Sequence, residues 1–313
     1  MARRVVVSLL IAGTLVLAGV GAYSHYFTPP PVPPADVPVF ISPTAPPTES
    51  EQFARLAETD AVAMLAACLT NYEKEATGFR ATLAKRERVA GKLHEPELIR
   101  VVGTGDVPGP DKKTAIRVRM IWDQGAKGDG NPLFLGEKKI KATLYAEGQL
   151  SNQMTIYRPE ASVEVWHINP KIEMARKSSR YCITDAGMYR SMLRTYDAWK
   201  KRQEAGVLTV AYLGKRVIPE VGGRECFVVK RTCKTAEVDP FALDEQPPTD
   251  AKVIDRDGFT EVTLFIDAER RLQLGTVIRR TDGELVGEYY FRDVELVKAE
   301  FPSDTFTPAA LRN

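Results

Sequence analysis

Two periods of hydrophobic spacing divide the chain. The stretch TAIRVRMIW from Thr114 sets Ile116, Val118, Met120 and Trp122 on one side and Arg117 and Arg119 on the other, the two-residue period of a strand with one wet face. FRATLAKRERV alternates in the same way and places Phe79, Ala81, Leu83 and Val89 together. Lys85 and Glu87 fall in that row. They read as a strand end emerging into solvent, the alternative being a polar feature at the rim of a cavity. ELIRVV, KIKATLYAEG, NQMTIYR and VEVWHI continue the series, with Ile140, Ala142, Leu144 and Ala146 as the next inward row and His167 beside Val163 and Val165 as a core histidine. VLTVAYL, RECFVVKRTC, TEVTLFID, RLQLGTVIRR and LVGEYYFRDVELV complete it. Alternation and turn signals give roughly eleven strands. With no helix between the early ones, the expectation is an antiparallel meander.

The three-to-four-residue period appears twice. Met188, Met192, Tyr196 and Trp199, with Leu193 beside them, form an apolar stripe. Thr184 is placed to cap this helix and Asp185 to meet its positive end; Lys200, Lys201 and Arg202 crowd the other end and Gly206 stops it. The predicted span is 185–203. Earlier, Thr48 and Glu51 make a capping box that opens a helix running to about Ala76, with Ala61, Val62, Leu65, Cys68, Leu69 and Tyr72 inward. Together these predict an α+β domain over 49–313: a strongly curved antiparallel sheet with helices on its concave face. The proline-rich, acidic stretch 234–258 reads as a surface excursion. Asp255 and Asp257 before Gly258 lack the ligand spacing of a calcium loop and read as a hairpin turn. The segment FPSDTFTPAAL is expected along the sheet edge.

Ahead of the domain, Arg3 and Arg4 precede the uncharged run Val5 to Ala22, which serves either as a cleaved signal or as a retained membrane anchor within 1–27. Export follows from both. The proline-rich stretch 28–48 reads as a semi-rigid spacer of roughly 60 Å at about 3 Å per residue. A spacer is most useful when its near end is tethered, which favours the anchor and a periplasmic or other extracytoplasmic body held at the inner membrane through Val5 to Ala22.

Charge and chemistry then narrow the function. Lys+Arg number 43 and Asp+Glu 41, and setting aside Arg3 and Arg4 leaves a neutral body, so nucleic acid is not an expected partner. The three histidines, His25, His94 and His167, stand apart in sequence, and no nucleophile elbow, zinc helix, phosphate loop or Cys-x-x-Cys is present. No catalytic residue, metal or cofactor is assigned. Cys68, Cys182, Cys226 and Cys233 could form disulfides after export. Cys226 and Cys233 cannot pair with each other, since seven residues of strand would hold them roughly 23 Å apart at about 3.3 Å per residue.

The segments SSRYCITDAGM, TLAKRERVAGKL and TLFIDAERRLQLGTVIRRTDGELVGEYYFRDVEL resemble the secreted family catalogued as domain of unknown function 1571, which is similar to the LolA and LolB superfamily of lipoprotein carriers. The resemblance covers the chain from about Glu51 onward. Cys182 stands where the family pattern suggests proline, and 234–258 is longer than usual for it. The resemblance implies a half-open barrel able to hold acyl chains. The expected function is therefore a non-enzymatic binding module of the cell envelope for a lipid or the acyl chains of a lipoprotein. Its expected lining is Met188, Met192 and Tyr196 from the helix, facing Trp122, Leu144 and Ile278 from the sheet. The alternative is a membrane-tethered scaffold or sensor that binds an envelope protein and no ligand.

Overall fold

The first helix among the described residues opens on a local signal. Thr48 caps α1 (Glu49–Thr59) by accepting the Glu51 N–H, and the Glu51 carboxylate reaches back to the Thr48 N–H at 2.7 Å, as the capping box required. The expected single helix is in fact two. Asp60 ends α1 and its Oδ1 accepts the N–H groups of Val62 at 3.1 Å and Ala63 at 2.9 Å, starting α2 (Ala61–Glu75) at a new angle. An aspartate can cap as well as interrupt, and the periodicity of apolar residues did not reveal which. The computed structural model describes residues 48–109, 111, 113–125, 139–242 and 250–312. Val5 to Ala22 and the spacer lie outside them; among the described residues no helix is long and apolar enough to cross a membrane.

The sheet has twelve strands: β1 (Gly78–Val89), β2 (Lys92–Leu93), β3 (Glu97–Thr104), β4 (Arg117–Gln124), β5 (Ala142–Ala146), β6 (Met154–Tyr157), β7 (Val165–Ile168), β8 (Val210–Ile218), β9 (Arg224–Glu237), β10 (Phe259–Asp267), β11 (Gln273–Arg279) and β12 (Leu285–Val297). Their order is β7-β6-β5-β4-β3-β1-β12-β11-β10-β9-β8, with β2 paired to β1 off this path. Every pairing is antiparallel. Two meanders thus meet along β1 and β12, and the sheet stays open at β7 and β8. Register shifts in the β1–β12, β9–β10 and β8–β9 pairs bend and twist the strands, giving the curved half-barrel the alternation pattern implied.

The concave side carries the helices. Between β7 and β8 come α3 (Glu173–Ser178) and α4 (Met188–Glu204), the long helix expected across the concavity. Its start was misread. Thr184 and Asp185 form a separate 3-10 turn, Ile183–Asp185, and the residue before α4 is Gly187 at φ +132°. The first-turn N–H of Tyr189 is instead received by Asp106 Oδ2 at 2.9 Å, from the loop between β3 and β4. A side chain on Gly187 would meet that carboxylate at 2.7 Å, so glycine and a distant aspartate together do the capping that a local threonine was expected to do. Residues 187–189 contain no signal of this, because the cap is supplied by tertiary structure.

The convex side is not wet throughout. The C-terminal segment, expected at an edge, lies over β4 and β5 and buries Ile121, Ala142 and Leu144 beneath Phe306 and Leu311. Of the row Ile140, Ala142, Leu144, Ala146, Ile140 borders the concave cavity as expected, whereas within β5 the sense is reversed: Thr143 lines the cavity while Ala142 and Leu144 pack outward. With both faces of β5 covered, alternation loses its sign. The stretch 234–258 also differs from expectation. Its first residues extend β9, and Asp250 caps α5 (Ala251–Asp257) through the Lys252 N–H at 2.7 Å, so Asp255 and Asp257 are helical rather than in a hairpin turn. His167 is exposed, not core, its Nδ1 lying 3.0 Å from the buried Thr155 hydroxyl.

Asp267, at the end of β10, explains one segment that carried the family resemblance. It is wholly buried, its Oδ1 accepts the N–H groups of Glu269 at 2.9 Å and Arg270 at 2.7 Å, and it is ion-paired with Arg224. This carboxylate shapes the β10–β11 turn.

Candidate functional site

Between the concave face and α4 lies a cavity of about 510 Å³, within the range of about 300 to 1,000 Å³ typical of small-molecule sites. Its wall has two halves. On the first meander, the inward rows of β1, β3, β4 and β6 contribute Leu83, Ile99, Met120, Trp122 and Ile156. On the other side, the segment after α3, one face of α4 and the chain following β9 contribute Tyr181, Ser191, Arg194, Thr195 and Asp239. The result is an apolar trough facing a polar wall.

A buried ionic cluster joins the halves. Antiparallel register sets Lys85 of β1 opposite Glu97 of β3 on one side and Tyr289 of β12 on the other. Lys85 Nζ lies 2.9 Å from Glu87 Oε2 and 3.7 Å from Glu97 Oε2. Trp122 Nε1 donates to Glu97 at 2.7 Å, and the Tyr289 hydroxyl donates to Glu87 at 3.0 Å. Glu87 and Glu97 are 2% and 4% exposed, so the view of Lys85 and Glu87 as a strand end in solvent is overturned. They form a polar feature of the cavity wall. Burial alone would lower the Lys85 pKa, but the carboxylates of Glu87 and Glu97 more than offset it and the ammonium is held charged. Burial, then the negative charge of Glu87, keeps the Tyr289 phenol protonated.

Further along the same wall, the Tyr181 hydroxyl donates to Asp239 Oδ2 at 2.5 Å, joining the segment before α4 to the one after β9. The stretch expected to be a surface excursion thus closes part of the cavity, through Asp239, Pro240 and Phe241. Glu237 receives Arg231 at 2.6 Å and Arg202 at 3.0 Å, fixing the end of α4 to β9. Two lining groups carry buried oxygens with no hydrogen-bond partner, Thr143 Oγ1 and Gln273 Oε1.

The six residues expected to line the site divide. Trp122 and Ile278 are in the cavity wall. Leu144 is not, for it points into the convex cluster under Phe306. Met188 and Met192 are fully buried in the main core, and Tyr196 is half-buried with Lys200 above its ring at 5.6 Å. α4 instead borders the cavity with Ser191, Arg194, Thr195 and Ala198, joined toward its end by Trp199, Lys201 and Arg202. The hydrophobic stripe of α4 is satisfied by core packing, with Tyr189 at 5.9 Å from the Tyr72 ring of α2 and bonded to Glu73 at 2.6 Å. What faces the cavity is mainly the helix's small and polar side, with Trp199 the one member of the stripe that also borders it. Periodicity locates the face that packs, which here is not the face that borders the cavity. The polar residues Glu97, Tyr181, Tyr289 and Asp239 were missed altogether. Their one available signal was the presence of Lys85 and Glu87 in an otherwise apolar row.

The remaining chemistry is quiet. Among the described residues no group of three or more histidine, cysteine or carboxylate side chains is arranged to hold a metal. All four cysteines are free and buried. Burial pushes the thiols of Cys226 and Cys233 up to about 12 and about 11, so they stay protonated and weakly nucleophilic.

No curated protein matches the chain. Among solved structures, the chain is similar to the MucA/MucB complex of Pseudomonas aeruginosa at 12% identity and a TM-score of 0.41, covering 81% of this chain and 62% of that one. The chain thus spans about three fifths of the MucB structure it matches. It is also similar to the Mycobacterium tuberculosis lipoprotein LppX, at 10% identity and a TM-score of 0.34 over 75% of this chain and 93% of that one. A LolA superfamily protein of Nitrosomonas europaea matches at 11% identity and a TM-score of 0.27 over 79% and 98%. The family model described as "Protein of unknown function (DUF1571)" matches residues 76–310, which takes in every strand but none of α1, and the chain belongs to that family.

Proposed function

We propose that this chain is a non-catalytic binding module of the cell envelope, which holds an apolar ligand, a lipid or the acyl chains of a lipoprotein, between its half-barrel sheet and α4. The observation that supports this is the cavity of about 510 Å³. Native interiors are packed to a density that leaves few voids larger than a water molecule, so a space of this size bordered by Leu83, Ile99, Met120 and Ile156 calls for an occupant. Trp122 and Ile278 are proposed as ligand contacts. Retention by Val5 to Ala22 would make the module a stationary acceptor or sensor facing away from the inner membrane, with 28–48 as its spacer. Native mass spectrometry of residues 48–313 tests the reading: a co-purifying lipid mass, or uptake of one added fatty acid, is expected. A protein that stays free of ligand at saturating lipid would refute it.

One observation favours the second reading, a protein-binding scaffold. Among the described residues the sheet ends at β8, whose outer edge pairs with no further strand there and whose Leu213 and Val217 are exposed, Val217 to 65%. An extended peptide could add there as a further strand. Crosslinking at position 217 that captured an envelope protein, with an empty cavity, would favour it over the carrier.

A further inference from the structure

Strand register gives the cavity wall a measurable depth. Lys85 of β1 stands opposite Glu97 of β3 and Tyr289 of β12, the row that carries the buried ionic cluster. Two residues back along β1, Leu83 lies opposite Ile99. The next row runs through Met120 of β4 and Thr143 of β5 to Ile156 of β6, and Phe79 comes last along β1. All of these border the cavity. On this meander the wall is therefore apolar from Leu83 to Phe79, save for the Thr143 hydroxyl, and charge is confined to its Lys85 end. From Phe79 to Lys85 the strand advances about 20 Å at about 3.3 Å per residue. In a bilayer one acyl chain reaches across half of the hydrocarbon core, about 15 Å. The apolar rows are thus about one chain deep.

Volume sets the number of chains. The cavity measures about 510 Å³ with its polar side included. A methylene group takes about the room of a water molecule, whose share of liquid volume is about 30 Å³, so about seventeen carbons would fill the space completely. Two hexadecanoyl chains need about twice that volume. A second chain would stay in water and add nothing to binding, because only apolar surface removed from water contributes.

We propose that the ligand is a single-chain amphiphile, a fatty acid or a lysolipid, whose one acyl chain of about hexadecanoyl length lies between α4 and the apolar rows of β1, β3, β4 and β6. This rests on the binding reading above and narrows its ligand from acyl chains in general to one chain. Lipids with two or more chains exceed the space.

The test titrates the full chain, held in an amphipathic polymer and blanked against polymer alone, with saturated fatty acids from dodecanoate to docosanoate. Affinity should rise about fourfold per methylene as far as hexadecanoate or octadecanoate and then stop rising. Native mass spectrometry should count one hexadecanoate per chain. Hexadecanoyl lysophosphatidylglycerol and dihexadecanoyl phosphatidylglycerol share a head and differ in chain number, and the first should bind at least about tenfold more tightly than the second. Ile156→Trp, which fills the Met120 row, should move the break to shorter chains and leave dodecanoate affinity unchanged. Affinity that climbs through docosanoate, two hexadecanoates per chain, or a two-chain lipid bound as tightly as its one-chain counterpart would overturn the single-chain assignment and leave the carrier reading standing. A break that Ile156→Trp does not move would overturn the seating between these rows. Failure of every ligand to bind would refute both readings. If Ile156→Trp does not fold, the fatty-acid series and the lipid pair in the unmodified chain decide alone.

Discussion

Asp106 offers the sharpest test of how α4 is held over the sheet. It is 1% exposed, Oδ2 receives the Tyr189 N–H, and Oδ1 has no partner. Burial outweighs the hydrogen bonds from the helix and the Arg190 charge, so its pKa rises from an ordinary 3.8 to about 6. A folded carboxyl with a raised pKa binds its proton more tightly than the unfolded one. Its contribution to stability is fully present below the unfolded value and is lost as pH rises through the folded value. A rise of about two pKa units corresponds to about 3 kcal/mol in total, of which about 2 kcal/mol is lost between about pH 4.5 and 7.5. Asp106→Asn keeps an oxygen for the Tyr189 N–H and carries no charge. Urea melts of both proteins at those two pH values isolate the effect, since other titrating groups cancel in the difference. The variant should gain about 2 kcal/mol relative to the parent on going from about pH 4.5 to 7.5. A difference that does not change with pH would refute the buried tertiary cap.

Other outcomes follow from the same packing. Met192→Ala should cost about 2 to 5 kcal/mol in a chemical melt and leave fatty-acid affinity unchanged, because Met192 is core and not cavity wall; weaker binding with little destabilisation would return it to the lining. Leu144→Ala should also destabilise by about 2 to 5 kcal/mol and loosen the C-terminal segment above it, read as faster hydrogen exchange around Phe306. Unchanged exchange there would place Leu144 elsewhere. Gly187→Ala forces a side chain to φ +132° against Asp106 at 2.7 Å and should cost more than about 1 kcal/mol; a neutral melt would mean that the entry to α4 is built differently.

Much of the fold was legible because this sheet has one consistently apolar face over most of its length. Phe79, Ala81, Leu83, Ile116 and Val118 all lie in the core to which the alternation assigns them. The reading failed where a second layer covers the other face. On β5 all five residues are buried, and nothing local shows which row is concave until Phe306 and Leu311 are placed. Helix ends failed for a related reason. The Thr48 box is local and was readable, whereas the cap of α4 comes from Asp106, more than eighty positions away. The site was the least legible part. A hydrophobic stripe marks what packs, and α4 turns its stripe toward α2 while Ser191, Thr195 and Ala198 border the space. Lys85 and Glu87 were the visible clue, since two charges in a core-facing row must either reach solvent or find partners. Glu97 and Tyr289 supply those partners from β3 and β12, and Trp122 of β4 in turn donates to Glu97.

The central claim is that the ligand occupies the space between α4 and the sheet, and filling that space tests it most directly. Ala198 sits on the cavity face of α4, and Ala198→Trp would project an indole into the trough. Isothermal titration of hexadecanoate into the parent and the variant, each with a melting control, should show about one site on the parent. The account predicts that the folded variant loses affinity by about tenfold or more. Equal affinity in the two proteins would place the ligand elsewhere and contradict the account.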